Sequence, residues 1–150
     1  MSFDFSSLKW GRIVIGVIVG FLIAMVVNIL LQVGYGVVLG FQMRGAPPQE
    51  MMIAAVKSLP FQLLAALFVF LGGLVGGRIA ARPAETNRPL AGLITGVLLA
   101  ILAVIWRAFS WGAADLWMVI QAILAIVGGW VGGQLAARRK GEEYEELSHI

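Results

Sequence analysis

Asn28 and Gln32 are two amides one helical turn apart inside a long apolar run, and Gln62 and Gln121 sit in similar surroundings further along the chain. Amides so placed do hydrogen-bond chemistry. They tie membrane helices together, each bond contributing on the order of 0.6 kcal/mol, or they line a vestibule that takes a small ligand, a lipid head or a cofactor. Arg107 and Asp115 stand at the rim of the same region. The residue patterns of covalent or acid-base catalysis are missing: there are no paired carboxylates inside an apolar segment, no serine beside a base and no cluster of metal ligands. His149 is the single histidine and the chain has no cysteine, so neither a thiolate metal site nor a disulfide is available. GGLVGG at 72 to 77 imitates a nucleotide fingerprint but lacks the preceding strand and the distal acid. An enzyme is not expected, and no cofactor or metal is assigned.

The elements that must position these amides are set by where charge is absent. Charge-free gaps of 31, 20, 18 and 22 residues lie between Arg12 and Arg44, Lys57 and Arg78, Arg88 and Arg107, and Asp115 and Arg138. A helix needs roughly 20 apolar residues to cross about 30 Å of hydrocarbon. The expectation is an all-α integral membrane protein of one domain with four transmembrane helices, at about 11–34, 60–82, 88–107 and 115–138. An outer insertion occupies 41–60 and a cytosolic tail 139–150. The first run is too long for a signal-peptide core and has no clear small-x-small cleavage site. An N-terminus on the cytoplasmic side puts eight Lys and Arg residues inside (Lys9, Arg12, Arg78, Arg82, Arg88, Arg138, Arg139, Lys140) against three outside (Arg44, Lys57, Arg107). That imbalance favours cytoplasmic N- and C-termini. Trp106, Trp111 and Trp117, with Trp10 at the other end, suit an interfacial aromatic belt. A net charge of +3 clustered at segment ends points to lipid headgroups as partners and away from nucleic acid.

GGLVGGRIAAR at 72 to 82 returns as GGWVGGQLAAR at 128 to 138, and GVIVGFLIA at 16 to 24 returns as GLITGVLLA at 92 to 100. Arg12 and Arg88 each precede the second pair by four residues. The two matches imply two helical hairpins related as a parallel repeat, the first enlarged by the insertion. Glycine in a lipid-embedded helix permits close backbone approach. Gly72 and Gly76 form one ridge, Gly73 and Gly77 another about 100° round the helix. Gly128 and Gly132 beside Gly129 and Gly133 repeat the arrangement, while Gly16, Gly20 and Ala24, and Gly92 and Gly96, give single ridges. Such GxxxG or glycine-zipper faces all fall toward the cytoplasmic ends of their helices. The expected bundle is therefore pinched at its inner end and wider outside, where Phe61, Leu63, Leu64, Phe68, Trp106 and Trp117 add bulk. Within the insertion, Pro48 suits a helix's first turn and MMIAAV a short interfacial helix, with methionines that contact a partner or fill the splay. Ser58 and Pro60 suit the cap and first turn of the next span. The charged tail RRKGEEYEELSHI reads as solvated chain.

At its two GGxxGGxxAAR segments the chain resembles small, uncharacterised four-helix membrane proteins of bacteria and archaea with glycine zippers near helix ends. The resemblance implies a four-helix fold in a prokaryotic inner membrane and carries over no activity. The expected role is an accessory or scaffold subunit whose small-residue faces bind other membrane helices, its own copies included. The alternative is a small transporter or ligand-binding protein using the outward-facing vestibule.

Overall fold

A computed structural model describes residues 9–84, 87–111 and 115–148, with the side chains of 110–111 and 139–148 outside the described set. Among the described residues five helices follow one another: α1 (Trp10–Met43), α2 (Gln49–Val56), α3 (Leu59–Ala81), α4 (Arg88–Trp111) and α5 (Leu116–Ser148). Four of them, α1, α3, α4 and α5, are long and apolar enough to cross a membrane. The chain is thus a helical protein of multi-pass membrane type.

Two helices overrun their expected spans of 11–34 and 115–138. Nothing in the sequence after residue 34 stops α1, which continues to Met43 and ends where Arg44 adopts a left-handed conformation (φ 54°) and the Gly45 N–H reaches back to Gly40 O at 3.1 Å. Helix α5 likewise runs through the charged tail to Ser148, since no proline interrupts it. The connection between α1 and α3 therefore shrinks to 44–58. Within it α2 forms over QEMMIAAV, with Pro48 one place outside the helix and not in its first turn. Met52 lies against Gly36 of α1 and so fills part of the space between the helices. Ser58 does occupy the position before α3, with Pro60 in the first turn, but it makes no side-chain cap. Its hydroxyl donates instead to Ala55 O at 2.6 Å, closing the turn from α2.

The spatial order follows from the contacts. Helix α3 packs most extensively against α5 and α1, α4 packs against α5, and α1 lies beside α4 over a shorter stretch and, among the described residues, does not adjoin α5. Glycines occupy these seams. A Cβ placed on Gly16 would fall 2.5 Å from Gly76 O, and one on Gly20 would fall 2.6 Å from Gly72 O, so α1 and α3 touch backbone to backbone. The neighbouring ridge of α3 turns to α5: a Cβ on Gly73 would lie 2.6 Å from Ala125 O, and Gly77 rests on Gly129. Gly128 and Gly132 return the contact against Phe70 and Leu74 of α3, while Gly129 and Gly133 face Gly92 and the first turn of α4. Gly96 abuts Ala125 and Ile126. Ala24 packs beside Gly72 and joins the cluster of Val69, Leu99, Ala100 and Ala125.

These seams converge at the end of the bundle that carries Arg12, Arg78, Arg88 and Arg138, where Ile13, Ala80 and Ala91 form a second buried cluster. We call this the basic end. Here Arg88 is buried, with Nε donating to Ala84 O at 2.7 Å and Nη1 to Ala136 O at 2.9 Å. Its sequence counterpart Arg12 is exposed. At the opposite end cavities open between α1, α3 and α4. Phe61 turns inward there, but Leu63 and Leu64 are 54% and 42% exposed and point away from the bundle, so they do not fill it.

Candidate functional site

The end opposite the basic one contains two adjoining cavities. The larger, about 310 Å³, has an apolar wall that includes Phe21, Ala24, Leu99 and Ala103 and a polar end formed by Asn28, Gln32, Arg107 and Gln121. The smaller, about 150 Å³, is lined by Lys57, Phe61, Gln62 and Asp115 together with the same Asn28, Gln32 and Arg107. Three side chains, from α1 and α4, are therefore common to both. All four amides singled out by sequence lie at one end of the bundle and line one cavity or the other.

Local structure explains each placement. Asn28 and Gln32 are four residues apart on α1, so they stack on one helix face, and Gln32 Nε2 donates to Asn28 Oδ1 at 2.7 Å. Gln62 sits in the first turn of α3, buried, where its Nε2 donates to Val56 O at the end of α2 (2.8 Å). Gln121 lies one turn into α5, also buried, and its Nε2 approaches Gln62 Oε1 at 3.4 Å. Arg107, in the last turns of α4, extends Nη1 toward Gln121 Oε1 at 3.3 Å and pairs Nη2 with Asp115 Oδ2 at 2.7 Å. A chain of polar groups thus crosses from α2 through α3 and α5 to α4. Its long central links are loose, and the Arg107 Nε is buried with no hydrogen-bond partner among the described residues. Phe21 and Trp106 meet edge to face at 6.1 Å between α1 and α4 beside the larger cavity.

Asp115 has a structural duty that its sequence position could have announced. It immediately precedes an apolar run, as helix-capping acids do, and its Oδ1 accepts the Met118 N–H at 2.9 Å. Burial alone would push this carboxyl up, but the Met118 N–H and the Arg107 guanidinium outweigh it and hold the group below the ordinary carboxylate value. A depressed carboxyl contributes stability that is complete above its unfolded value of about 3.9 and fades only as pH falls through the lower folded value. The midpoint difference between the wild type and Asp115→Asn should therefore stay constant from about pH 5 to 8 and narrow only below about pH 4. A midpoint difference that shrinks between pH 5 and 7 would show that the carboxyl is not held down.

Lys57 and the apolar wall residues Phe21, Met25 and Ala103 were not singled out by sequence. Lys57 ends the short α2, and its part in the lining follows from how α2 folds between α1 and α3. Of the expected aromatic belt, Trp106 is half exposed beside the cavity and Trp111 lies outside the described side chains. Among the described residues no group of histidines and acids is placed to hold a metal ion. No protein-family model matches the chain, and neither a curated protein nor a solved structure is similar to it.

Proposed function

We propose that this chain is a non-enzymatic protein of a prokaryotic inner membrane, with both termini cytoplasmic, that binds a small ligand in an outward-facing vestibule, either to hold it or to carry it. The bundle is read as two duplicated hairpins locked by glycine zippers at the cytoplasmic end. The observation that carries this reading is the pair of cavities sharing Asn28, Gln32 and Arg107, an apolar wall closed by a polar end. Ligand sites usually take this form, at about 300 Å³ and upward. The glycine ridges support the same choice. They meet one another inside the chain, which leaves them engaged and leaves the cavity end as the distinctive surface.

A second reading, an accessory or scaffold subunit, is supported by α1. Only 17% of its spanning window is buried, against 44% for α3, so a flank of α1 is free for a partner helix or for lipid.

The two readings separate in one preparation. Protein purified in mild detergent and moved into neutral phosphatidylcholine nanodiscs should bind radiolabelled octylglycerol or octyl phosphate saturably at one site. Ala103→Trp, which fills the larger cavity, should abolish that binding at unchanged elution volume. Absence of saturable binding by either probe, with a stoichiometric companion protein retained through purification, would replace the ligand reading by the accessory one.

A further inference from the structure

We infer that the vestibule takes a single-chain amphiphile with an anionic head, a phosphate or sulfonate-like group held at the Arg107 guanidinium. This rests on the ligand-binding reading above and adds the sign and place of the head.

Arg107 borders both cavities, so a group at its free edge sits at their junction. A guanidinium offers five N–H donors. Asp115 takes one at 2.7 Å, Gln121 lies at a slack 3.3 Å, and Nε is buried with no acceptor among the described residues. A buried donor left unmade is costly, and an anionic oxygen is the acceptor that relieves it best. The charges lining the cavities agree. Lys57 and Arg107 stand against Asp115, two cations to one carboxylate, and Asp115 is already fixed on the Met118 N–H. Gln32 points its Nε2 at Asn28 Oδ1, which leaves the Asn28 NH₂ as a further donor beside the head. A cationic head would face the surplus positive charge, and a neutral one would leave it unbalanced.

The remainder of the ligand is set by the larger cavity. Below the polar end its wall is Phe21, Ala24, Leu99 and Ala103. A cavity of about 310 Å³ has room for one short alkyl chain along that wall. Free inorganic phosphate would satisfy Arg107 but leave that apolar wall uncovered.

The test compares octyl phosphate, octanesulfonate, octylglycerol, octyltrimethylammonium and inorganic phosphate on the full chain in neutral phosphatidylcholine nanodiscs. Expected is at least tenfold tighter binding of the two anionic amphiphiles than of octylglycerol or octyltrimethylammonium, with no competition from millimolar inorganic phosphate. Arg107→Gln should erase the difference between octyl phosphate and octylglycerol, and Arg107→Lys should restore part of it. Should Arg107→Gln fail to fold, Asp115→Asn supplies the complementary arm: freeing a second edge of the guanidinium should tighten octyl phosphate about threefold or more. Equal affinity for anionic and neutral probes, or a preference that survives Arg107→Gln, overturns the charged head and leaves the vestibule reading standing. Competition by inorganic phosphate as strong as that of octyl phosphate overturns the alkyl chain. No saturable binding by any probe removes the vestibule reading itself.

Discussion

Replacing Gly129 by alanine should destabilise the protein by about 1–3 kcal/mol, the range for overpacking a filled core, and leucine there should prevent the bundle from closing. Gly129 stands where three helices meet. A Cβ on it would fall 2.6 Å from both Gly92 O and Gly96 Cα of α4, while Gly77 of α3 rests on its own backbone. The obstructing atoms are main chain, so no rotamer change can make room. The right comparison is Gly34→Ala on α1, where a Cβ would meet nothing within 4 Å. That variant should match the wild type or gain a few tenths of a kcal/mol, because alanine is the better helix former. Thermal unfolding in detergent, followed by size-exclusion fluorescence, distinguishes them. If Gly129→Ala and Gly34→Ala unfold together, backbone contact does not hold the bundle.

The second large effect is expected at Arg88. Its guanidinium donates from Nε to Ala84 O and from Nη1 to Ala136 O, joining the connection after α3 to the last span while buried among apolar neighbours. Bonds from a charged donor contribute about 1.5–3 kcal/mol each, offset by the cost of removing the cation from water. Arg88→Gln should lower stability by about 2 kcal/mol. Arg88→Lys should recover little of it, because an ammonium cannot span two carbonyls set apart by a planar fork. Arg12→Gln, at the exposed counterpart, is the control and should be silent within about 0.5 kcal/mol. Equal losses at both arginines, or none at either, would show that the buried bonds carry no weight.

The contrast between these arginines marks where sequence is informative. Each precedes a GxxxGxxxA segment by four residues and both count toward the expected cytoplasmic charge, yet only Arg88 is enclosed. Enclosure depends on which helix lies alongside. Helix α5 supplies the Ala136 carbonyl that holds Arg88, while the enclosed face of α1, Ile13, Gly16 and Gly20, turns to α3 and α4 and leaves Arg12 on the open side. The four spans were legible because charge is excluded from them. Their ends were less so: α1 runs past the expected 34 to Met43, where the Arg44 that closes its charge-free gap also makes the terminating turn, and α5 continues through glutamates that suit helix as well as coil. In the candidate site the amides were legible as types out of place in an apolar run. Their connections were not, since Gln62 finds its closest partner on α2, a helix whose packing no periodicity in α3 announces. Lys57 reaches the lining for the same reason.

The uneven hold on α1 has a mechanical consequence. Its buried residues are Ile13, Gly16 and Gly20, all in the first third of a 34-residue helix. Beyond Gly20 some 23 residues form an arm of about 35 Å at 1.5 Å per residue, with Asn28 and Gln32 about 12 and 18 Å along it. A rotation of about 5° at the glycines would displace the tip by about 3 Å over that length. The full rod, about 51 Å long, exceeds the roughly 30 Å of a hydrocarbon slab, a mismatch that helices take up by leaning, by bending or by thickening the bilayer around them. Where the rod leans, its angle is tied to bilayer thickness, and through that lever the surrounding lipid gains purchase on the width of the mouth.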